Sequence, residues 1–315
     1  MTKALGDLPS DLNETYYRIL KKIHPLQREK ICSVLKWLAF SRRPLLLKEL
    51  LEAAAIDPKH RFDVNNRIQH LQSIPDSCSS LVTITSGGKE ETIRFAHPSV
   101  QRYLDSKRLQ AIGPPASTFE FSEIDAHSFI AECSLQYLLS FDRRDSLSKA
   151  DLDAFPLLEY AADFWIAHVK YLESESNISP STVTLAGAVL NPAKTAGFLN
   201  WIRFQDPDGY RRRRFNLQLE QIQESTLYLA AREGLQKVSE ELLEMGADVN
   251  AQGGHYGNAL QAASYNGHDQ IVQRLLDKGA DVNAQGGLYG NALQAASDNG
   301  HDQIVQRLKS AIQSQ

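Results

Sequence analysis

Two histidines, His268 and His301, are the side chains here best suited to holding a metal ion, and they stand 33 residues apart. Each sits in the same setting, Asn-Gly-His-Asp-Gln-Ile-Val-Gln-Arg-Leu. Equal placement argues for a structural role, tying an interhelical loop, over ligation. Asp142, Asp145, Asp151 and Asp153 supply carboxylates in one polar stretch, but no histidine or metal-ligand spacing accompanies them. Neither an acid–base pair nor a cation site follows from them. Cys32, Cys78 and Cys133 are far apart and odd in number, which reads as free thiols in a reducing compartment. Ser86-Gly-Gly-Lys89 has the residue types of a phosphate loop, yet it lies in a hairpin without the helix that such a loop needs. Nowhere is there a Gly-x4-Gly-Lys-Ser/Thr run, a Gly-x-Ser-x-Gly elbow, a His-Glu-x-x-His pair or a Gly-rich dinucleotide loop. The residues predict a protein that is not an enzyme, with no metal and no cofactor.

The elements that carry the two histidines come in copies. Tyr256-Gly-Asn-Ala-Leu-Gln-Ala-Ala-Ser, then Asn266 to Leu275, returns almost letter for letter from Tyr289 to Leu308. Gly246 and Gly279 keep the same 33-residue offset, the period of ankyrin repeats, one β-turn plus two short helices. Asn258 is the expected N-cap of an inner helix over Ala259–Ala263. Gly267 is its left-handed stop, and Asp269 opens an outer helix with Ile271, Val272, Leu275 and Leu276 on one stripe. Lys278 and Gly279 end that helix. A degenerate copy precedes these, from Thr226 to Gly234 and from Leu242 to Asn250. In the last copy Leu276 becomes Lys309 and the chain finishes on a polar helix, which suits an array end and equally a truncation. About three repeats is the lower limit for a stable array, so a frayed C-terminal end is expected. Such an array grips a protein partner. The positions that differ between the two good copies are His255 against Leu288 and Tyr265 against Asp298, while Tyr256 and Tyr289 stay. Loop tips and inner-helix ends line the concave side, so His255, Tyr256, Tyr265, Leu288, Tyr289 and Asp298 are the candidate partner-binding residues. The alternative for Tyr256 and Tyr289 is packing between adjacent loops.

Asp11 to about Leu109 reads as helices followed by a two-stranded wing. Asp11 can cap a helix with Leu12, Tyr16, Ile19, Leu20 and Ile23 on one side. Pro25 starts the next helix, with Ile31, Leu35 and Leu38 inward. Ser41–Pro44 breaks it, a third helix runs through Leu47, Leu50, Leu51 and Ala54, and a fourth lies near Val64 to Leu71. Leu81–Thr85 and Thr92–Phe95 flank Ser86–Lys89 as a hairpin. Pro98 then begins a last helix with Val100, Tyr103 and Leu104 inward. The runs Leu8-Pro-Ser-Asp-Leu-Asn-Glu-Thr-Tyr16, Leu35-Lys-Trp-Leu-Ala-Phe-Ser-Arg-Arg-Pro44-Leu, Cys78-Ser-Ser-Leu81-Val and Ile93-Arg-Phe-Ala-His97-Pro-Ser-Val-Gln-Arg-Tyr-Leu104 resemble the winged-helix segment of fungal NACHT-type STAND receptors. That segment is often labelled a GPI inositol-deacylase winged helix, and the label does not imply an active site. Cys133–Leu139, Phe155–His168 and the repeats continue the resemblance over nearly the whole chain. It implies a nucleotide-controlled signalling switch in which a histidine, here His97, senses the diphosphate. The P-loop domain of such receptors lies upstream of this module and is lacking from this chain, so contact with a NACHT domain would be in cis or in trans. Without that domain, His97 is read as a cap or core hydrogen bond before Pro98.

The stretch from about Ser122 to Leu219 looks helical, with breaks near Ser174–Pro180 and Gln205–Gly209. Trp165, Trp201, Tyr160 and Tyr171 are core or docking residues there. Arg211–Arg214 reads as a solvated linker, with nuclear import or a phosphate contact as alternatives. The expected class is mainly α: a winged-helix module with a small β-hairpin (1–112), a helical connector (113–218) and a short ankyrin α-solenoid (219–315) of about three repeats, the last incomplete. Net charge −4 and a pI near 6.2 give no pull towards nucleic acid or membrane surfaces. A DNA-binding winged helix would need a basic recognition helix, and Val64–Gln72 carries one arginine. With no signal peptide and no stretch able to span a bilayer, a cytoplasmic protein is expected, or a nuclear one if the arginine run acts in import.

Overall fold

The computed structural model describes residues 10–63, 65, 67, 80–86, 90–105, 108–114, 116–141, 147, 149–204, 222 and 225–314. The helix expected near Val64–Leu71, Cys78, the hairpin tip 87–89, Asp142, Asp145, the break at Gln205–Gly209, the Arg211–Arg214 run and the side chain of Asp11 lie outside the described residues. The chain is mainly helical with one small sheet. It divides into two compact units, Met1–Cys133 with Phe155–Leu157, and Ser134–Ala154 with Leu158–Gln315.

In the first unit, α1 (Ser10–Lys21) buries Tyr16 and Leu20, and Ile23 follows them into the core. Pro25 opens a single 3₁₀ turn, Pro25–Gln27, and not the helix itself; α2 (Arg28–Phe40) starts after it. Proline's fixed φ and missing N–H suit either kind of first turn. The inward residues of α2 are Ile31, Val34, Leu35 and Trp37, while Leu38 is only half-buried. A second covered side explains the difference, because α2 also packs on α3 (Leu47–Ala53) and on the sheet. That sheet has three strands, not two. The expected hairpin, β2 (Val82–Ser86) and β3 (Glu91–Phe95), is antiparallel from Val82↔Phe95 to Ser86↔Glu91. A two-residue β1 (Leu45–Leu46) adds to the other edge of β3, with Leu45 opposite Ile93. Just before α3, Arg43 holds the buried Glu49 carboxylate through two bonds of 2.8 and 2.6 Å, and the Leu46 N–H donates to it at 2.7 Å. A carboxylate that far from water persists only when paired and hydrogen-bonded. The last winged-helix helix, α4 (Pro98–Leu104), buries Val100, Tyr103 and Leu104 as expected. Tyr103 meets Tyr16 with ring centroids 5.3 Å apart. Helix α5 (Arg108–Ile112), a 3₁₀ turn (Ala116–Phe119) and the first part of α6 (Glu123–Leu139) complete this core.

The second unit continues through α7 (Lys149–Ala154), α8 (Leu158–Ser174), α9 (Pro180–Val189) and α10 (Ala196–Phe204). Its core is aromatic: Trp165 and Trp201 meet edge to face at 5.6 Å and Tyr160 is buried, while Tyr171 is half-buried. Three helix pairs follow, α11/α12 (Thr226–Glu233, Gln236–Glu244), α13/α14 (Ala259–Tyr265, Asp269–Asp277) and α15/α16 (Ala292–Asp298, Asp302–Gln313). Inner helices α11, α13 and α15 stack directly on one another, with Ala230, Ala263 and Ala296 fully buried at equivalent positions. The last outer helix, α16, has twelve residues against nine in α12 and α14.

Candidate functional site

Each repeat holds its hairpin tip rigidly, and the means can be read residue by residue. Asn258 accepts the Gln261 N–H and Gln261 Oε1 accepts the Asn258 N–H, both at 2.9 Å, a reciprocal cap on the inner helix. The other end of the Gln261 amide donates to the Ala284, Gly286 and Gly290 carbonyls of the next hairpin at 3.1–3.4 Å. One repeat earlier, Tyr228 stands where Gln261 would, and its hydroxyl accepts the Tyr256 N–H at 3.3 Å. Gly254, at φ +86°, lies flat on that ring; an added Cβ would come within 2.3 Å of it. The two hairpins close identically, Gly253 N to Gly257 O and Gly286 N to Gly290 O at 2.7 Å.

The two histidines perform a second tie, the structural role expected of them. Each reaches across to the preceding repeat rather than closing its own interhelical loop. His268 Nε2 donates to the Arg232 carbonyl at 3.1 Å, and His301 Nε2 to the Tyr265 carbonyl at 2.9 Å. Burial lowers the His268 pKa, which keeps the ring neutral. No group of three metal-ligating side chains occurs among the described residues.

On this frame the six predicted residues come together. Tyr256 and Tyr265 stack at 4.3 Å and 24°, and Tyr265 meets Tyr289 at 5.0 Å and 37°. All three rings are half-buried, so they pack between loops and still offer surface. His255 stands edge-on to Tyr256 at 5.1 Å, and its carbonyl accepts the Leu288 N–H at 3.1 Å. Leu288 is 62% exposed, and Asp298 is exposed at the end of α15. Burial first, then the nearness of Tyr265, pushes the Tyr256 pKa up to about 12. Sequence reasoning missed Arg232, which lies within electrostatic reach of Tyr256. Arg232 was findable, because it stands 33 residues before Tyr265.

His97 lies in the other unit. It caps α4, Nδ1 accepting the Ser99 N–H at 3.1 Å and bonding the Ser99 hydroxyl at 2.6 Å. Ser99 passes the contact on to the Tyr16 hydroxyl at 2.7 Å, tying α4 to α1. Nε2 of the exposed His97 ring has no hydrogen-bond partner among the described residues.

Comparison with known proteins agrees with these geometries. Residues 227–314 match ankyrin repeats in three copies, and residues 21–112 match the GPI inositol-deacylase winged helix domain. The chain carries ankyrin repeats and a winged helix of that type. Over 281 residues it is 38% identical to azaphilone pigments biosynthesis cluster protein L of Monascus ruber, covering 82% of this chain and 57% of that protein. The chain thus spans just over half the length of this relative. No NACHT domain is identified in the sequence. Ankyrin repeats are protein-interaction modules, and the tyrosine row lies on their hairpin tips and inner-helix ends. Among the described residues no helix is long and apolar enough to cross a membrane.

Proposed function

We propose that this chain is a non-catalytic interaction protein of a NACHT–ankyrin, STAND-type signalling system, acting in the cytoplasm or nucleus. It binds a protein partner through the hairpin tips and inner-helix ends of its repeats. The stacked row Tyr256–Tyr265–Tyr289 carries this reading. Large amphipathic rings already held in place lose little freedom on binding, which is what makes tyrosine an anchor residue. Pull-down from a lysate of the source organism with the wild-type chain and with Tyr256→Ala/Tyr289→Ala tests the reading. At least one partner should be retained by the first and lost by the second; identical captured sets would sink it.

A second reading is that the chain is the regulatory C-terminal part of a nucleotide-dependent switch, whose NTPase domain lies outside these residues. What favours it is the unpartnered Nε2 of His97, a donor or acceptor that a phosphate could use. The same capture discriminates, because this reading requires a NACHT-bearing chain among the retained proteins, with retention reduced by His97→Ala. The name of the Monascus relative directs the search for either partner to proteins of a comparable biosynthesis cluster.

A further inference from the structure

We propose that the tyrosine row takes a basic segment of its partner, one that lays an arginine or lysine side chain against Tyr289 and pairs it with Asp298. This rests on the reading of the repeats as the partner-binding surface and adds the chemistry of what binds there.

At 33-residue spacing the end of each inner helix contributes one side chain to the row, Arg232, then Tyr265, then Asp298. Tyr256 and Tyr289 from the hairpins stack against Tyr265 between them. The row therefore begins on a cation, passes through three rings and ends on an anion. The protein itself satisfies only the first end. Arg232 Nε and Nη2 reach Glu233 Oε1 at 3.2 and 2.9 Å. Asp298 is exposed and accepts one hydrogen bond, from the Gln294 amide at 2.5 Å. It has no cation at ion-pair distance among the described residues.

A carboxylate beside tyrosine faces suits an ammonium or guanidinium group. The ring faces are electron-rich, the carboxylate supplies full charge, and a guanidinium can stack and hydrogen-bond at once. The wider field agrees in sign: from Thr226 to Ser314 the repeats hold ten acidic and six basic residues, which draws cationic segments in. Leu288 sets a second requirement. It stands one residue before Tyr289 and is the most exposed large apolar side chain of the repeats, so the partner places an apolar residue next to the basic one.

The test offers the whole chain to a phage-displayed library of random dodecapeptides at low ionic strength. Recovered peptides are then measured by fluorescence anisotropy against the wild type, Asp298→Asn and Asp302→Asn. Peptides carrying arginine or lysine beside an apolar residue should be recovered, weakened about tenfold by Asp298→Asn and unchanged by Asp302→Asn. Asp298→Arg, a surface change, should turn the selection towards acidic peptides, a gain that misfolding cannot imitate. Recovery of no peptide, of peptides without basic side chains, or of basic peptides indifferent to Asp298 overturns the inference. Non-basic peptides that still lose binding on Tyr256→Ala leave the interaction surface standing and remove only this chemistry. If no recovered peptide responds to any substitution in the row, both readings fall.

Discussion

At the scale of single residues, the repeats are locked by a histidine pressed onto a glycine. Gly267 stands at φ +78°, and a Cβ there would lie 2.6 Å from His301 Cε1. Gly300 has nearly the same backbone, φ +72°, with nothing within 4 Å. Alanine at either position costs about 1 kcal/mol through the left-handed backbone. At Gly267 the ring must also move off the Tyr265 carbonyl, roughly another 1 kcal/mol. Urea denaturation should therefore find Gly267→Ala about twice as damaging as Gly300→Ala, and equal losses would remove the lock. Gly267 was legible in the sequence as a helix stop, and Gly300 stands 33 residues after it. That His268 and His301 close on the repeat before them was not, because the 33-residue identity names equivalent positions without saying which neighbour each side chain meets.

The same contrast recurs at the scale of elements. Gln261 and Gln294 are letter-for-letter equivalents, yet the first binds three carbonyls of the following hairpin while the second turns to Asp298 on its own helix. Gln261 is buried and Gln294 exposed. Removing the first takes a partner from the buried Asn258 N–H and from the half-buried Ala284 and Gly286 carbonyls, a loss of about 2 kcal/mol; removing the second should stay within about 0.5 kcal/mol. Thermal melts of Gln261→Ala and Gln294→Ala decide it, and similar shifts would show that the hairpins are not held this way. Helices and hairpin were readable from period and turn residues. Strand β1 was not: Leu45–Leu47 fits helix and strand alike, and only the free edge of β3 selects the extended form for its first two residues.

For the molecule as a whole, the array depends on what precedes it. Repeats two and three open their outer helices with Asp269 and Asp302, but the first has Gln236 there. The missing acceptor comes from α8: Glu173 accepts the N–H groups of Gln236, Lys237 and Val238 at 2.5, 3.0 and 3.4 Å. Gly187 of α9 lies so close to α12 that a Cβ would come within 2.9 Å of Glu241 Cγ. Burial raises the Glu173 pKa to about 7 against those three bonds, with Glu240 adding to the rise. Lys237, already bonded to Glu240, and Glu241 line the same cavity. With the folded pKa above the ordinary value of 4.5, the contribution of Glu173 to stability is full below pH 4.5 and is lost as pH rises towards and through 7. The melting-temperature advantage of wild type over Glu173→Gln should therefore shrink between pH 5 and 8; a constant difference would sink the assignment. By itself the sequence determined the repeat period, the caps, the helix stops and the candidate row of Tyr256, Tyr265 and Tyr289, because local backbone preference and a 33-residue identity need no knowledge of distant contacts. Only the tertiary structure decided that the rings stack into one surface, that Arg232 stands at one end and Asp298 at the other, and that a glutamate from α8 caps the first outer helix. Those are long-range pairings, chosen by which buried group lacks a partner and which distant side chain can reach it.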